Sequence, residues 1–397
     1  MAKVALGVCS SISIYKACEI LRGFQKKDFD VEVIMTKNAS KLISPLLFSA
    51  LSHHKVIIDP FEEGYSERIA HISLAREISL LLVAPATANI IGKFASGVAD
   101  DFLSTFFMAV ENTVLIAPAM NEAMYFHNQT QENIQKLRAQ GVEFIEPERG
   151  YLACEEEGWG RLAEPERIVA EGLRIIQRAK SLKGKKVLVT AGPTREFLDP
   201  VRFLSNPSSG KMGYELAREA MMRGADVTLI SGPTALLPPT KAKFRKVERA
   251  EEMEEEVLKN FPEADIVIMA SAVSDFRFSQ PFSRKIKKQK MPKKIELIQT
   301  QDILAKLGKR KRGKVLVGFA AETEDMMANA SAKLREKNLD LIVANNVRDT
   351  GIGFESDFNQ VTIIGSRGKI VETQKMSKRE ISRAVLDQIE VLLGKKK

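Results

Sequence analysis

The feature that most constrains the fold is an alternation of strand-length apolar runs with amphipathic helical stretches, which occurs twice along the chain. Such an alternation is typical of α/β proteins with mainly parallel sheets. The pattern stops near Lys180 in the polar stretch "AKSLKGKK" and starts afresh with "KVLVTAGPT". Since a polar stretch between two repeats of a pattern marks a domain boundary, we expect one domain at 1–182 and a second at 183–397.

The predicted strands of both halves are short apolar runs followed by a helical pattern. In the first half they are Lys3–Cys9, Val31–Thr36, Leu80–Ala84 and Thr113–Ala117. In the second half they are Val187–Thr190, Asp226–Ser231, Asp265–Ala270, Val315–Ala320 and Asp340–Ala344, and then Gln360–Gly365 and Lys369–Thr373, which form a predicted hairpin. The sequence therefore predicts an α/β fold with two doubly wound, Rossmann-like domains.

The charge and the apolar runs narrow the range of partners. A net charge of +9 favours anionic partners, which are nucleotides, phosphorylated metabolites or nucleic acid. No apolar run approaches the roughly 20 residues of a membrane span, and "MAKVALGVC" is typical of a first strand rather than a signal peptide, so we expect a cytoplasmic protein. The cysteines form no C-x-x-C pair, which disfavours structural zinc and a disulfide framework.

Serines follow the first predicted strand, in "GVCSSISIYKACEILRGF". The start of a helix suits a phosphate, and the hydroxyls of Ser10, Ser11 and Ser13 are further donors. The alternative is that the serines only cap the helix. A standard dinucleotide site is not predicted, because G-x-G-x-x-G is absent.

Two further strands of the first half end in related sequences, "LLVAPATANIIGKF" and "VLIAPAMNEAMY". Each places a polar side chain, Thr87 or Asn121, after Ala-Pro-Ala at the carboxyl end of a predicted parallel strand. Thr36 ends the second strand in the same manner. Because doubly wound folds bind ligands at this edge of the sheet, the three residues predict a ligand site.

His71 in "ERIAHISLA" and Cys154 in "GYLACEEEGWGR" are candidates for proton transfer. A lone histidine is more often structural or exposed, and a lone cysteine is usually a small buried hydrophobe. Cys154, however, lies in a glycine-rich segment that is typical of a mobile loop, where a thiol acts as proton donor or nucleophile.

The sequences "HISL", "APAT", "PAMN" and "AC…GWGR", in this order, resemble the flavin-dependent cysteine decarboxylases, in particular those that act on phosphopantothenoylcysteine. The resemblance implies FMN, with its phosphate near Ser10–Ser13 and Thr36. It places the flavin ring near a group of four residues: Thr87, Ser104, Thr105 and Met120. The chain differs from many members of the family in having Cys9 and Ser10 in place of Gly-Gly. It also has Glu155, directly after Cys154, in place of Gly.

The family chemistry gives these residues roles. Loss of CO₂ from a cysteinyl carboxylate leaves charge on a carbon without an electron sink, and in the family FMN provides one by oxidising the thiol to a thioaldehyde. By resemblance, His71 serves near thiol activation and decarboxylation, and Asn121 binds the substrate carboxylate. Cys154 protonates the enethiol intermediate from a lid.

The stretch "SNPSSGKMGYELA" looks at first like a phosphate-binding P-loop. That motif needs G-x-x-x-x-G-K-[ST], with a hydroxyl after the lysine to bind Mg²⁺. Ser205 stands in place of the first glycine and Met212 in place of the hydroxyl. The P-loop interpretation therefore fails at two necessary positions.

The longer stretch "TAGPTREFLDPVRFLSNPSSGKMGYELA" instead resembles the phosphopantothenate–cysteine ligases, and "SAVSDF", "KIKK", "GFAAET" and "KNLDLIVANN" follow in the family's order. With the first half, nearly the whole chain resembles a bifunctional coenzyme A enzyme. The resemblance implies ligation of cysteine to 4′-phosphopantothenate through an acyl-cytidylate, with CTP and Mg²⁺ whose ligands are not identified. By resemblance, Asn206 holds the acyl-cytidylate and Lys285 acts at the active site. The implied CTP-binding residues are Met269, Ala270, Ser271, Asp275, Lys285, Gln301, Asp302, Ile303, Leu304, Phe319, Lys333 and Lys337.

The basic run "SRKIKKQKMPKK" at 283–294 is typical of a solvated surface and contains no aromatic residue to stack on bases, so we expect no nucleic-acid partner.

Three classes of protein stay open from the sequence: the bifunctional enzyme, a flavoprotein that has lost activity, and a basic nucleic-acid-binding protein. The family resemblance implies a homo-oligomer with trimeric decarboxylase contacts and dimeric ligase contacts, which a dodecamer would combine.

Overall fold

The computed structural model describes residues 2–59, 70–151, 157–290, 292–322, 325–346, 356–366, 368 and 370–394. The chain divides into two compact units, Met1–Ala179 and Lys180–Lys397. Within the described residues, no helix is both long and apolar enough to cross a membrane. Each unit has its own sheet and its own hydrophobic core.

The first unit is built from short strands and helices in alternation. Its strands are β1 (Ala2–Val8), β2 (Phe29–Met35), β3 (Ile78–Ala86), β4 (Val114–Pro118), β5 (Glu143–Phe144), β6 (Glu148–Tyr151) and β7 (Glu157–Arg161). Its helices are α1 (Lys16–Gln25), α2 (Ala39–Leu42), α3 (Pro45–Ser52), α4 (Ala70–Glu77), α5 (Ala88–Ser96), α6 (Phe102–Ala109), α7 (Glu122–Phe126), α8 (Asn128–Gln140) and α9 (Pro165–Arg178), with a 3-10 turn at Ile12–Tyr15.

The main sheet of the first unit has the order β2-β1-β3-β4-β5, and its strands are parallel. The apolar side chains of the strands alternate between two cores, so that α1 and α9 cover one face while α5, α6 and α8 cover the other. The four strands predicted for this half are confirmed. The order changes direction between β1 and β3, which is the switch point where doubly wound sheets open a ligand crevice.

The second unit repeats the plan with more strands. They are β8 (Lys186–Ala191), β9 (Arg195–Phe197), β10 (Phe203–Ser205), β11 (Asp226–Ser231), β12 (Lys243–Lys246), β13 (Ile266–Met269), β14 (Phe276–Phe278), β15 (Leu297–Gln299), β16 (Val315–Glu322), β17 (Leu341–Asn346), β18 (Phe358–Asn359), β19 (Val361–Gly365), β20 (Ile370–Glu372) and β21 (Met376–Ser377). The helices are α10 (Lys211–Met222), α11 (Ala250–Asn260), α12 (Ile303–Arg310), α13 (Met326–Glu336) and α14 (Lys378–Gly394), with 3-10 turns at Phe261–Glu263 and Lys288–Lys290.

The main sheet of the second unit has the order β12-β11-β8-β13-β16-β17-β19-β20. It is parallel from β12 to β17, and β19 and β20 continue it in antiparallel fashion. Helices α10 and α14 pack in the core on one face, whereas α11, α12 and α13 pack in the core on the other. The doubly wound prediction is thus confirmed here too, with the switch point between β8 and β13.

The predicted hairpin is confirmed as β19 and β20, apart from Lys369, which lies outside the described residues. Three antiparallel pairs in the second unit, β9 with β10, β14 with β15 and β18 with β21, were not predicted. These strands are only two or three residues long and partly exposed, so they carry no regular apolar alternation.

Candidate active sites

In the first unit, four neighbouring parallel strands end at one edge of the sheet. Ser11 follows β1, Thr36 follows β2, Thr87 follows β3 and Asn121 follows β4. The strand order therefore brings the predicted residues of these four connections to one crevice.

The hydroxyls after β1 and β2 are partly exposed at this edge. The oxygens Ser11 Oγ and Ser13 Oγ are 3.1 Å apart. The Thr36 N–H donates to the Val8 carbonyl at 3.1 Å, and Thr36 Oγ1 accepts from the Ala39 N–H at 3.2 Å. Hydroxyl groups on short side chains at the edge of the sheet can donate hydrogen bonds to the oxygens of a phosphate monoester.

Thr87 begins helix α5 as its N-cap, with Oγ1 accepting from the Ile90 N–H. Beside it lies Cys9, which is fully buried and whose N–H donates to the Pro85 carbonyl at 3.2 Å. Burial raises the pKa of the Cys9 thiol to about 12. The thiol is therefore neutral at physiological pH and adds no charge to the crevice.

Helix α6 carries two predicted flavin contacts, and His71 packs against it. The His71 ring lies edge-on to the Phe102 ring, with 6.4 Å between the ring centroids. Thr105 Oγ1 donates to the Ala99 carbonyl at 3.3 Å. Ser104 is fully buried, and its Oγ donates to Asp101 Oδ1 at 2.8 Å in a capping box. The hydroxyl of Ser104 is thus engaged at the start of α6.

The carboxylate of Asp101 also binds Lys93, with 2.7 Å between Lys93 Nζ and Asp101 Oδ2. Burial opposes ionisation of this carboxyl, but the hydrogen bonds from Lys93 and Ser104 outweigh it and lower the pKa of Asp101. The ion pair fixes α5 against the start of α6, and so it holds two of the connections that border the crevice.

Asn121 caps α7, and its Oδ1 accepts from the Ala123 N–H at 2.9 Å. The preceding residue, Met120, donates its N–H to the Gly160 carbonyl on β7 at 3.0 Å. Gly160 has φ +122°, and a Cβ there would lie 2.0 Å from the Met120 carbonyl oxygen. Glycine is therefore required for β7 to approach the Asn121 turn this closely.

The predicted proton donor, Cys154, lies outside the described residues. The strands on either side of it, β6 and β7, pair in antiparallel fashion. Strand β7 is further joined to the Asn121 turn by the Trp159 N–H, which donates to Glu122 Oε1 at 3.0 Å.

In the second unit, a cavity of about 810 Å³ lies at the carboxyl ends of β13, β16 and β17. It is lined by Asn206 and by eleven of the twelve residues predicted to bind CTP. These eleven are Met269, Ala270, Ser271, Asp275, Gln301, Asp302, Ile303, Leu304, Phe319, Lys333 and Lys337.

The side chain of Asn206 is held in one orientation by the hydrogen bonds that its amide group donates. Its Nδ2 donates to the carbonyls of Ala272 and Val273, at 3.2 Å each. Both donor hydrogens of the side chain are thereby used, so the group that Asn206 offers to a ligand is the Oδ1 acceptor.

The Gly-Lys pair that resembled a P-loop has a different role at this edge. Gly210 is the N-cap of α10 with φ +79°, and a Cβ there would lie 2.6 Å from Thr234 Cγ2. The glycine therefore serves the tight entry into α10.

Asp302, Lys333 and Lys337 form a charged wall of the cavity. Lys337 Nζ lies 2.8 Å from Asp302 Oδ2, while Asp302 Oδ1 accepts from the Ala305 N–H at 2.9 Å. Burial opposes ionisation of Asp302, but the bond from Lys337 outweighs it, so the pKa of this carboxyl is lowered. The wall carries both a carboxylate for a hydroxyl or a metal and ammonium groups for phosphates.

Lys285, the remaining predicted residue, is exposed and is not among the residues that line the cavity. Its neighbour Ile286 is held at both backbone groups. The Ile286 N–H donates to Asp199 Oδ2 at 3.2 Å, and the Ile286 carbonyl accepts from the Arg202 guanidinium at 2.8 Å. The structure therefore places Lys285 next to an anchored peptide.

Several lining residues escaped sequence reasoning: Thr300, Asn345, Asn359, Lys211 and Lys378. Asn345 lies at the carboxyl end of strand β17, and a polar residue at the end of an apolar run is the signal that identified Thr87 and Asn121 in the first unit. Lys378 begins α14, far along the chain from the other lining residues, and no local motif marks it.

Two doubly wound units, each with polar side chains gathered at its switch point, define a two-unit α/β protein of the nucleotide-binding type. The Flavoprotein family matches residues 1–177, and the family described as DNA/pantothenate metabolism flavoprotein C-terminal domain matches residues 182–392. Two curated relatives of the whole chain are described as bifunctional proteins of coenzyme A biosynthesis, and the chain belongs to this family.

It is 48% identical to the Coenzyme A biosynthesis bifunctional protein CoaBC of Bacillus subtilis, over 98% of this chain and 97% of that protein. It is 39% identical to the protein of the same name from Borreliella burgdorferi, over 96% of this chain and 97% of that protein. A crystal structure of the C-terminal domain of a Coenzyme A biosynthesis bifunctional protein CoaBC shares 42% identity, with a TM-score of 0.47, and the match covers 54% of this chain and 99% of that one.

Proposed function

We propose that the chain catalyses two consecutive steps of coenzyme A biosynthesis. The ligase, assigned to 183–397, joins cysteine to 4′-phosphopantothenate with CTP. The decarboxylase, assigned to 1–182, converts 4′-phospho-N-pantothenoylcysteine to 4′-phosphopantetheine with FMN. The observation that carries the proposal is the single cavity that collects Asn206 and eleven of the proposed CTP-binding residues.

The ligase step must activate a carboxylate, which is a poor electrophile. A carboxylate oxygen of 4′-phosphopantothenate attacks the α-phosphorus of CTP and pyrophosphate leaves; the cysteine amine then attacks the acyl carbon and CMP leaves. Asn206, held by two backbone carbonyls, accepts from an N–H or O–H of the acyl group and fixes its orientation. Lys333 and Lys337 neutralise the charge of the triphosphate.

Mg²⁺ is part of the proposal for this step. The cavity offers two carboxylates, Asp275 and Asp302, which are the oxygen ligands that this ion prefers. Mg²⁺ binds such sites together with substrate phosphates, which suits a cavity that holds CTP.

The crevice of the first unit fits FMN, because hydroxyl side chains follow neighbouring parallel strands at the carboxyl edge of the sheet. When bound, FMN supplies the reversible oxidation that makes loss of CO₂ feasible. The serines after β1 and Thr36 would hold its phosphate, and Thr87, Ser104, Thr105 and Met120 would hold its ring system. Asn121 binds the substrate carboxylate, His71 serves near thiol activation and decarboxylation, and Cys154 protonates the enethiol intermediate to give the product.

We further infer a homo-oligomer, with trimeric contacts through the first unit and dimeric contacts through the second; a dodecamer satisfies both symmetries. Large apolar side chains are exposed in both units, including Ile12 and Leu46 in the first and Phe203 and Leu297 in the second. Light scattering that gives the mass of a monomer contradicts this inference.

The direct test supplies the full chain with 4′-phosphopantothenate, cysteine, CTP and Mg²⁺, and measures pyrophosphate, CO₂ and 4′-phosphopantetheine. All three products are expected, and the purified protein is expected to be yellow from FMN. Pyrophosphate without CO₂ would mean that the decarboxylase is inactive. Absence of all three products would reject the proposed function.

Asn206→Asp tests the ligase role. The new carboxylate repels the carbonyl oxygens of Ala272 and Val273, so we expect pyrophosphate formation to fall about 100-fold. Decarboxylation of supplied 4′-phospho-N-pantothenoylcysteine serves as the control and is expected to stay unchanged. Loss of CTP binding as the sole defect would instead restore the P-loop interpretation.

Cys154→Ser tests the proton donor of the first unit. A serine hydroxyl is a far weaker acid than a thiol, so we expect CO₂ release without formation of 4′-phosphopantetheine. Mass spectrometry of the products separates the two events. Full conversion to 4′-phosphopantetheine by this variant removes Cys154 from the mechanism.

A further inference from the structure

The connection between β13 and β14 supports two residues of the cavity in the second unit. Asp275 lies in this connection and lines the cavity. Asn206 lies elsewhere in the chain, but its Nδ2 donates to the carbonyls of Ala272 and Val273 in the same connection. The orientation of the Asn206 side chain relative to Asp275 therefore depends on a short stretch of backbone at 272–275.

Thr194, in the connection between β8 and β9, binds this stretch on both sides of Val273. Its N–H donates to the Ala272 carbonyl at 3.3 Å, and its Oγ1 accepts from the Ser274 N–H at 2.9 Å. Thr194 is completely buried and is not among the described residues that line the cavity. Any influence of Thr194 on a ligand in the cavity must therefore pass through its hydrogen bonds.

The hydroxyl of Thr194 and the carboxamide of Asn206 bind one peptide group from its two ends. This group joins Val273 to Ser274, and we name it the shared peptide group. Its N–H donates to Thr194 Oγ1, and its carbonyl accepts from Asn206 Nδ2 at 3.2 Å. Because a peptide group is planar, its N–H cannot turn without turning the carbonyl. The bond from Thr194 thus fixes the direction in which this carbonyl accepts from Asn206.

A third bond of Thr194 reaches the chain next to Asn206. The Thr194 carbonyl accepts from Ser205 Oγ at 2.7 Å, and Ser205 is the last residue of β10, directly before Asn206. Thr194 therefore holds the backbone that carries Asn206 as well as the peptide group that orients its side chain.

Two bonds keep the β13–β14 connection in place without the threonine hydroxyl. The Ala272 N–H donates to the Gly192 carbonyl at 2.9 Å, and Thr300 Oγ1 donates to the Ser274 carbonyl at 2.6 Å. Loss of the hydroxyl should therefore leave the connection folded but the Ser274 N–H unpaired. A buried N–H without a partner is unfavourable, so we expect the shared peptide group to turn and to draw its carbonyl away from Asn206.

We infer that Thr194 is a positioning residue for the ligase reaction, which orients the Asn206 carboxamide through the shared peptide group. This inference rests on the proposed ligase function, in which Asn206 fixes the acyl group. A turned carboxamide misplaces the acyl group against the α-phosphorus of CTP. Such a misplacement lowers the rate of attack more than it weakens the binding of CTP.

The test compares Thr194→Val and Thr194→Ser with the wild-type full chain. Valine has the shape of threonine without the hydroxyl, so we expect kcat for pyrophosphate release to fall about 10- to 100-fold, while KM for CTP changes less than about threefold. Serine keeps the acceptor for the Ser274 N–H and should restore most of kcat. Equal losses of kcat in the two variants, or a loss that appears only in KM for CTP, would overturn the inference.

The matched control is Thr373→Val, which also lies in the second unit. Thr373 is buried, its Oγ1 accepts from the Val361 N–H at 2.9 Å, and it is not among the described residues that line the cavity. We expect this variant to lose stability in denaturant unfolding to a similar extent as Thr194→Val, but to keep the wild-type kcat. If the control loses as much ligase activity as Thr194→Val, Thr194 serves stability alone and the inference fails.

A double-mutant cycle with Asn206→Ala tests whether Thr194 acts through Asn206. Without the carboxamide the shared peptide group has nothing to orient, so adding Thr194→Val to Asn206→Ala should lower the rate by less than about threefold. Single turnovers with enzyme in excess keep the slow variants measurable. A fall as large as in the wild-type background would show that Thr194 acts by another route.

Amide hydrogen exchange separates failure of this inference from failure of the ligase proposal. If the wild type releases no pyrophosphate, the proposed function fails. Mass spectrometry of a peptide spanning 272–276 then still decides what the hydroxyl does. Exchange should be about tenfold faster in Thr194→Val and close to the wild-type rate in Thr194→Ser. Exchange at the wild-type rate in Thr194→Val would show that the hydroxyl does not hold the shared peptide group.

Discussion

In the first unit, the strand order β2-β1-β3-β4-β5 collects hydroxyls that directly follow the strands, such as Ser11, Thr36 and Thr87. In the second unit, the order β12-β11-β8-β13-β16-β17 collects charged groups carried by helices on both faces, such as Lys211, Lys337 and Lys378. Both sites lie at the switch point of a doubly wound sheet. The difference is that one site is built by loops and the other by helix termini, so the two should respond differently to changes in helix packing and in turns.

The largest expected effect is a loss of stability of the second unit when the packing of its helices α10 and α14 is disturbed. Arg223 is almost fully buried between α10 and α14, with its guanidinium 2.9 Å from Glu219, 2.8 Å from Asp387 and 2.6 Å from Glu390. Arg223→Met leaves the buried carboxylate of Glu219 without its main partner, so we expect the free energy of unfolding of the second unit to fall by about 3–5 kcal/mol.

Denaturant unfolding of the full chain checks this, with the ligase activity and the flavin signal as separate probes of the two units. The matched control is Arg218→Met, an exposed member of a pair with Glu215, which should cost well under 1 kcal/mol. An equal shift of both transitions would show that the loss of stability is not confined to the second unit.

The second-largest expected effect is a loss of stability and decarboxylase activity in the first unit, at the turn that carries Asn121. Gly160→Ala places a Cβ against the Met120 carbonyl, so β7 must move away from the Asn121 turn. We expect the first unit to lose about 2–3 kcal/mol of stability and most of its decarboxylase activity, while ligation is unchanged.

Gly97→Ala is the matched control, since Gly97 also has positive φ but a Cβ there meets nothing within 4 Å. It should cost about 1 kcal/mol from backbone strain alone. If the two variants are equally active in decarboxylation, the contact between Gly160 and Met120 is not needed for the site.

The smallest effect is a dependence of stability on pH in the first unit. The folded-state pKa of Asp101 is lowered, so its ion pair with Lys93 stabilises the fold above the ordinary carboxyl pKa, and this contribution is lost as the pH falls through the lowered value. Asp101→Asn should therefore lose less stability on acidification, by well under 1 kcal/mol for a partly exposed pair. Unfolding measured between about pH 5 and pH 3 tests this against Glu132→Gln, an exposed control on α8.

The same contrast explains what the sequence could predict. Thr36, Thr87 and Asn121 were recognisable because each directly follows a buried parallel strand, and strand ends are visible as the ends of apolar runs. The buried capping role of Ser104 was not visible, because it depends on the conformation of Asp101 at the start of α6. Lys378 was missed for a related reason, since only the packing of α14 against α10 brings it to the cavity.

The anchored peptide at Ile286 has a consequence for the chain entropy of the second unit. The basic run lies in the long connection between β14 and β15, and the bonds from Asp199 and Arg202 fix that connection at Ile286. The Phe282 N–H, which donates to the Leu198 carbonyl at 2.7 Å, fixes it at a second point. One long loop thereby becomes several shorter loops, whose ends are the strands and these anchored peptides. Because closure entropy grows only slowly with loop length, the lysines beyond Ile286 can keep wide freedom of motion at little cost in stability. The first unit tethers the segment on either side of Cys154 differently, by pairing two strands.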